Sequence, residues 1–525
     1  MEPRIARRAV LGALVAGLVA EVLFDRVSLG INVPLFTLAS LAAVTWLSVR
    51  RRPADALDLW LPMAALAASL GPAVRTDPSV VALDLLLIAP SVAGWSMAVA
   101  GVAVTRRAAA MVVALGLEAL LAAGVGTAIL LRWSGADGFF RSGSAVLGRL
   151  APVVRGALLA VPIVGVFALL LGSADAVFGR GLDDILRNPI QLDDAVGRAL
   201  FVLAAAWLVG GALALAAGAY RLLPPEPKPD PNVRAAPEPE GAGAGPAHRT
   251  QLPSEPPAPV AAGTPRRRGS TEGLIVIAAV DLLFAVFAAV QVVFLFGGAD
   301  TLTTIGMTYS DYARQGYFQL VAVVALAGLL LAGVHAVVGR TRAFLASAFA
   351  LLGLTAIILA SAALRLRLYQ EAYGWTELRF YVAASIMWLA ACAAIAAVLL
   401  WRDRMRWLTH GLAMSAVSIT LGISALGPQA FVTHENLARV LDPTLVPPDG
   451  HTGFDAWYVL TLGDDVIPEL VASLEHLPPA DRAIVLRDLR ERRLRMQGDT
   501  GASGWQSWNL ARERARAALT TLPSR

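Results

Sequence analysis

Long apolar runs, broken by short arginine-rich or polar connections, are the dominant pattern of this chain. A helix needs roughly 20 mostly apolar residues to cross a bilayer. Twelve stretches come close: 9–24, 31–49, 57–74, 80–101, 108–131, 151–172, 197–219, 273–297, 317–338, 343–364, 380–401 and 407–427. None alternates polar and apolar residues as the strands of a membrane barrel do, so the runs predict helices. Their many Ala, Gly and Ser residues allow close backbone approach where no hydrophobic force drives helices together. The first run follows Arg4, Arg7 and Arg8. It reads as an uncleaved first span, since eleven more follow and no clear small-residue cleavage site appears. The expected fold is all-α, a polytopic membrane protein of about twelve spans, eleven to thirteen.

Two segments break the pattern. Residues 222–270 are dominated by Pro, Gly, Ala and Glu and hold almost no large apolar side chain. Such a segment cannot bury enough surface to offset its ordering entropy, and it predicts a disordered linker. Residues 428–525 are water-soluble in composition and carry helical patterns. In 481–495 the residues Val485, Leu486 and Leu489 fall near one face, and Asp488–Arg492 and Glu491–Arg495 have favourable i,i+4 spacing. The expected domains are a first membrane half (1–221), the linker (222–270), a second membrane half (271–427) and a small helical tail (428–525).

Composition agrees with the pattern. Hydrophobic residues make up 57% of 525 and charged residues only 16%, with a mean hydropathy of +0.62. A soluble domain keeps roughly a quarter of its residues charged. The net charge of +5 does not point to nucleic acid, because the arginines sit in clusters between apolar runs, where cytoplasmic anchors belong. Lys228 is the only lysine, and with so much Ala, Gly, Val and Pro this suggests a GC-rich bacterial genome. The single cysteine, Cys392, excludes an internal disulfide and a thiol metal site.

Arginine clusters also predict orientation in a bacterial plasma membrane. Arg50–Arg52 and Arg106–Arg107 agree with a cytoplasmic N-terminus, and the clusters at 266–268, 340/342 and 402/404/406 agree with one another. Three runs lie between Arg107 and Arg266, however, where an even number is required. The run 108–131, with Glu118 at its centre, is the best suspect for something other than a single crossing. On that reading the acidic stretch Asp175 to Asp194 and the tail are extracytoplasmic.

Three stretches look familiar as a set: TYSDYARQGYFQL (308–320), ALRLRLYQEAYGWTELRFY (363–381) and LGSADAVF (171–178). In the tail, Asn436 to Arg439, Trp457-Tyr458 and the GDDVIP turn (463–468) add to it. Together they resemble an uncharacterised bacterial membrane family, domain of unknown function 4173, and more distantly family 4153. The resemblance implies a multi-span helical fold and carries no activity with it.

The candidate chemistry is sparse. Asp311, Tyr312, Arg314, Arg365, Arg367, Tyr369, Glu371, Tyr373 and Arg379 form a polar set at span boundaries. Arg365/Tyr369, Arg367/Glu371 and Tyr369/Tyr373 are each one helical turn apart, and Gly374 is placed to close that helix. Such a set either binds an anionic head group or carboxylate, or locks helices together at the interface. Ionisable or polar residues inside runs are functional candidates by default: Glu21, Asp84, Gln291, His335, and above all Glu118 and Asp281. The six histidines form no metal-binding pair and no nucleotide-binding or hydrolase motif stands out, so no metal or cofactor is expected and no catalytic residue is assigned. Asp464-Asp465 suits a helix N-terminus. Three readings follow. The first is a non-catalytic envelope protein, a sensor or assembly factor that meets a protein partner through its tail. The second is a transporter or channel using Glu118 and Asp281. The third is a membrane enzyme or lipid-binding protein using the 365–379 cluster.

Overall fold

The computed structural model describes residues 3–48, 52–105, 109–134, 194–219, 270–296, 327–328, 330–335, 338–447, 450–451, 453–498 and 504–523. The described residues are overwhelmingly helical and hold no strand. Seven of their helical stretches are long and apolar enough to cross a membrane. The expected runs 31–49 and 9–24 form helices too, one short and one carrying Arg7, Arg8 and Glu21. The run 151–172 and the linker 222–269 lie outside the described residues, as does most of 317–338.

By its contacts the chain forms two units: Met1–Leu222 with Leu295–Tyr317 and Ile358–Arg525, and Leu223–Phe294 with Phe318–Ile357. In the second unit, α8 (Ser270–Phe296) buries Ile277, Phe284 and Ala288, and the start of α9 (Arg342–Tyr373) buries Phe344, Ala348 and Leu351.

The first unit holds α1 (Pro3–Phe24), α2 (Asn32–Leu47), α3 (Trp60–Ser69), α4 (Gly71–Val74), α5 (Pro78–Val99), α6 (Ala109–Trp133) and α7 (Asp194–Ala216). The end of α9 is followed by α10 (Glu377–Trp401) and α11 (Leu408–Leu426). Small residues let α1 and α7 meet: a Cβ on Gly17 would lie 2.9 Å from that of Ala206. Around them Ala9, Ala13, Leu41, Val44, Leu130 and Leu213 form one buried core. Glu21 of α1 pairs with Arg198 of α7, whose guanidinium also lies 3.9 Å from Asp25.

Local chemistry sets the helix ends. Asp77 caps α5 by accepting the Ser79 N–H at 2.9 Å, and Pro78 supplies the preset φ of a first helical residue. Gly427, at φ +69°, ends α11, and Pro428 starts α12 (Pro428–Leu441) at once. The tail continues with α13 (Ala456–Leu460), α14 (Ile467–Ser473), α15 (Pro479–Gly498) and α16 (Leu510–Thr520). It has its own core of Leu437, Val459, Ile467, Leu470, Val485, Leu489 and Leu519, with Leu486 packed beside it. Arg492 pairs with Asp488 at 2.6 Å as its spacing predicts. Glu491 pairs backward with Arg487 at 3.3 Å instead of forward with Arg495, which lies 3.9 Å from Asp488.

The tail stands at the end of the bundle where α1 finishes. The Gln506 amide donates to the Val22 carbonyl, and the Ile31 N–H donates to the Trp508 carbonyl at 2.9 Å. Arg4, Arg7 and Arg8 are at the opposite end of α1.

Candidate functional site

The connection between α9 and α10 is where the polar set of residues 365–379 gathers. Gly374 closes α9 at φ +75°, a backbone conformation that a side chain would strain. Arg367 and Glu371 pair at 2.7 Å on the exposed face of α9. The Tyr369 and Tyr373 rings lie 5.1 Å apart. Arg379, one turn into α10, folds back with its guanidinium 4.1 Å above the Tyr369 ring and donates to the Tyr373 and Gly374 carbonyls. Arg365 shares the helix with them. Asp311, Tyr312 and Arg314 lie outside the described residues.

This turn is held from the tail. Asn436 of α12 accepts the Trp375 N–H and donates to the Trp375 carbonyl, both at 2.8 Å. Arg439, one turn nearer the end of α12 and mostly buried, donates to the carbonyls of Gln370, Glu371, Ala372 and His451 at 2.6–3.4 Å. The first three are carbonyls of the last turn of α9, which have no partner within the helix. Burial, with Arg379 nearby, pushes the Arg439 guanidinium below its ordinary pKa. The Glu377 N–H donates to the Tyr458 hydroxyl at 2.8 Å, and burial raises that phenol above its ordinary range. The Gln429 amide donates to Glu377 at 3.0 Å and accepts from Gly463 at 2.9 Å.

A second set of contacts joins the tail to the α4–α5 connection. Asp465 accepts the Thr76 N–H at 2.8 Å and the Thr76 hydroxyl at 2.7 Å, and pairs with Arg75 at 3.4 Å. Arg75 also donates to the carbonyls of Ser424 and Ala425 at the end of α11. Asn509, fully buried, donates to the Pro72 and Arg75 carbonyls at 2.8 and 2.9 Å. Asp464 and Asp465 do open a helical turn, as expected. Between the two sets Val80, Phe380, Ile423 and Val432 form a small apolar core flanked by Tyr381 and Tyr458.

The intramembrane candidates fall in both units. Glu118 is buried on α6 in the first unit. Asp281 belongs to the second unit, with one carboxylate oxygen buried and unpartnered among the described residues. His335 stacks 5.4 Å from Phe344, also in the second unit, and the side chain of Gln291 is outside the described residues. Asp84, which the sequence placed merely near a span end, is fully buried and takes the Ser424 hydroxyl across both oxygens at 2.9 Å. It stands two turns from Asp77 on α5, and that seven-residue spacing was the one available signal.

The family model described as Domain of unknown function (DUF4153) matches residues 63–473, from within α3 through α14, and so covers both sets of contacts, which together clasp the tail, apart from Asn509. Neither the curated proteins nor the solved structures offer a significant match.

Proposed function

Starting from the fact that this chain belongs to the DUF4153 family, the second of the two its motifs resemble, we propose a non-catalytic envelope protein whose tail is a platform fixed to the membrane bundle. The platform acts as a sensor or assembly element: its partner meets the tail, and the tail's posture follows the bundle's helix ends. One observation carries this reading. Asp465 binds Arg75 and Thr76, some 390 residues earlier in the chain, with both its oxygens engaged. Buried, charge-assisted contacts of this kind fix orientation as well as adding energy. The polar set at 365–379 supports the same reading, because Arg379, Tyr369 and Arg367 are engaged with the protein itself.

The same geometry supports an extracytoplasmic tail. Arg4, Arg7 and Arg8 lie at the start of α1, and the tail meets the other end of that helix. Arginines at span ends favour the cytoplasmic side. The tail then faces away from the cytoplasmic N-terminus.

A photo-crosslinking residue at Leu494, 66% exposed on α15, tests the platform in living cells. The expected result is a discrete cross-linked protein that weakens when Asp465→Ala releases the tail. A cross-link pattern unchanged by Asp465→Ala, or none at all, would overturn the reading.

A further inference from the structure

Helices α1 and α2 run antiparallel, and Gly12 lets Leu47 come so close that a Cβ there would lie 2.7 Å from it. Beside this contact they leave a groove of about 330 Å³. Its walls are Leu11, Val15 and Val19 on α1 and Phe36, Ala43 and Trp46 on α2, each set at helical spacing on one face. Leu11, Val15 and Trp46 are 58–63% exposed, so the groove opens toward the lipid and not into the bundle.

Length and charge identify the occupant. From Arg8 to Val19 the groove runs roughly 16 Å at 1.5 Å per residue, about one leaflet of a ~30 Å hydrocarbon core. A slot of that length suits one hydrocarbon chain. Arg8 stands at the mouth of the groove, with Trp46 at the same end. Arg4 is one turn earlier on the same face, and both arginines are exposed. Neither has an ion pair or hydrogen bond among the described residues, whereas Arg7 turns away to the Ser134 carbonyl at 2.9 Å. Two free cations and an interfacial tryptophan at the end of a leaflet-long apolar slot match a lipid with a negative head group.

We propose that this groove binds one anionic phospholipid, with its phosphate on Arg4 and Arg8 and one acyl chain between α1 and α2. The site stands apart from the clasp and does not depend on it.

Native mass spectrometry of the full chain in mild detergent, offered equal dioleoylphosphatidylglycerol and dioleoylphosphatidylcholine, tests this. The wild-type chain should retain the phosphatidylglycerol preferentially, by about fivefold for each arginine that meets the anion. Arg4→Gln with Arg8→Gln should bring the two lipids to equal retention. Ala43→Leu, which fills the slot without uncovering any core, should lower retention of both. Should that variant fail to fold, Ala39→Leu on the same wall gives the same reading. Free glycerol phosphate should not compete, because it brings no chain. Equal retention by the wild-type chain, retention insensitive to the filled slot, or displacement by glycerol phosphate would each overturn the proposal.

Discussion

Asn436 holds Trp375 by both of its backbone groups, taking the N–H and giving a proton to the carbonyl at 2.8 Å each. An asparagine is the side chain for this task, since its amide presents one acceptor and one donor in the same plane. The pairing closes a turn inside a family-like motif onto a helix of the tail. It fits only because position 374 is glycine: a Cβ there would lie 2.7 Å from the Asn436 oxygen.

Replacing Asn436 with Ala leaves two partly buried backbone groups without partners. The expected cost is about 2–3 kcal/mol, the sum of two lost hydrogen bonds and their desolvation. Asn436→Asp should lose at least as much, because its second oxygen would face the Trp375 carbonyl. Thermal unfolding of the detergent-purified chain measures both. A shift for Asp much smaller than for Ala would show that only the Trp375 N–H matters.

Arg367 and Glu371 should behave differently. Their pair is on the helix surface, with side chains 72% and 34% exposed. Exposed pairs of this kind contribute about 0.3–0.5 kcal/mol. Either single substitution to Gln, and the exchange Arg367→Glu with Glu371→Arg, should leave the unfolding temperature almost unchanged. A marked loss in both single variants and in the exchange would mean that each residue has a further partner.

The contrast between these sites shows what the sequence exposes. The apolar runs among the described residues became helices close to their expected bounds because one element's periodicity is a local property. Arg367–Glu371 and Tyr369–Tyr373 were legible for the same reason: a single helical turn brings them together. Asn436–Trp375 and Asp465–Thr76 were not, since their partners are 61 and 389 residues apart and no spacing rule reaches that far. The motifs at 363–381, 436–439, 457–458 and 463–468 carry one resemblance together, but no spacing rule says that they touch; in the fold they are faces of one clasp. Asp84 was underrated similarly, because its hydroxyl donor, Ser424, is 340 residues away.

Asp77 gives the clasp a dependence on pH. It is 1% exposed, just outside the α5 span, and one of its oxygens is buried without a partner among the described residues. Burial raises its pKa from the ordinary 3.8 to about 6, aided by Glu377 on α10 and Asp465 in the tail, against the bond from Ser79. Tyr381 also feels its charge. An acid with a raised folded pKa binds more protons folded than unfolded, so its stabilising effect is complete below about pH 3.8 and lost as pH rises through about 6. The chain should therefore unfold at lower temperature at pH 7.5 than at pH 5.5. Asn keeps the cap and removes the charge, so Asp77→Asn should raise stability at pH 7.5, by up to about 3 kcal/mol at ~1.4 kcal/mol per pKa unit, and flatten this part of the profile. An unchanged profile in Asp77→Asn would assign the dependence to another group.

Orientation can be decided by labelling. Leu494→Cys is exposed on α15, well within the tail core's outer layer, and Cys392→Ser removes the native thiol. The tail stands at the far end of α1 from Arg4, Arg7 and Arg8, and arginines near span ends favour the cytoplasmic side. A membrane-impermeant maleimide should therefore label Leu494→Cys in intact cells whose outer barrier has been opened to small reagents. A second variant at Arg4, Arg4→Cys in the same background, should label only after lysis. The pair matters because each result controls the other: reagent that reaches both sites in intact cells has leaked, and reagent that reaches neither even after lysis is blocked. Labelling at Arg4 alone in intact cells would invert the whole chain. Labelling of both sites only after lysis would place the tail and the N-terminus on one side. Since the two lie at opposite ends of α1, that result would mean α1 does not cross the bilayer, and the lipid groove beside it would have to lie along the surface.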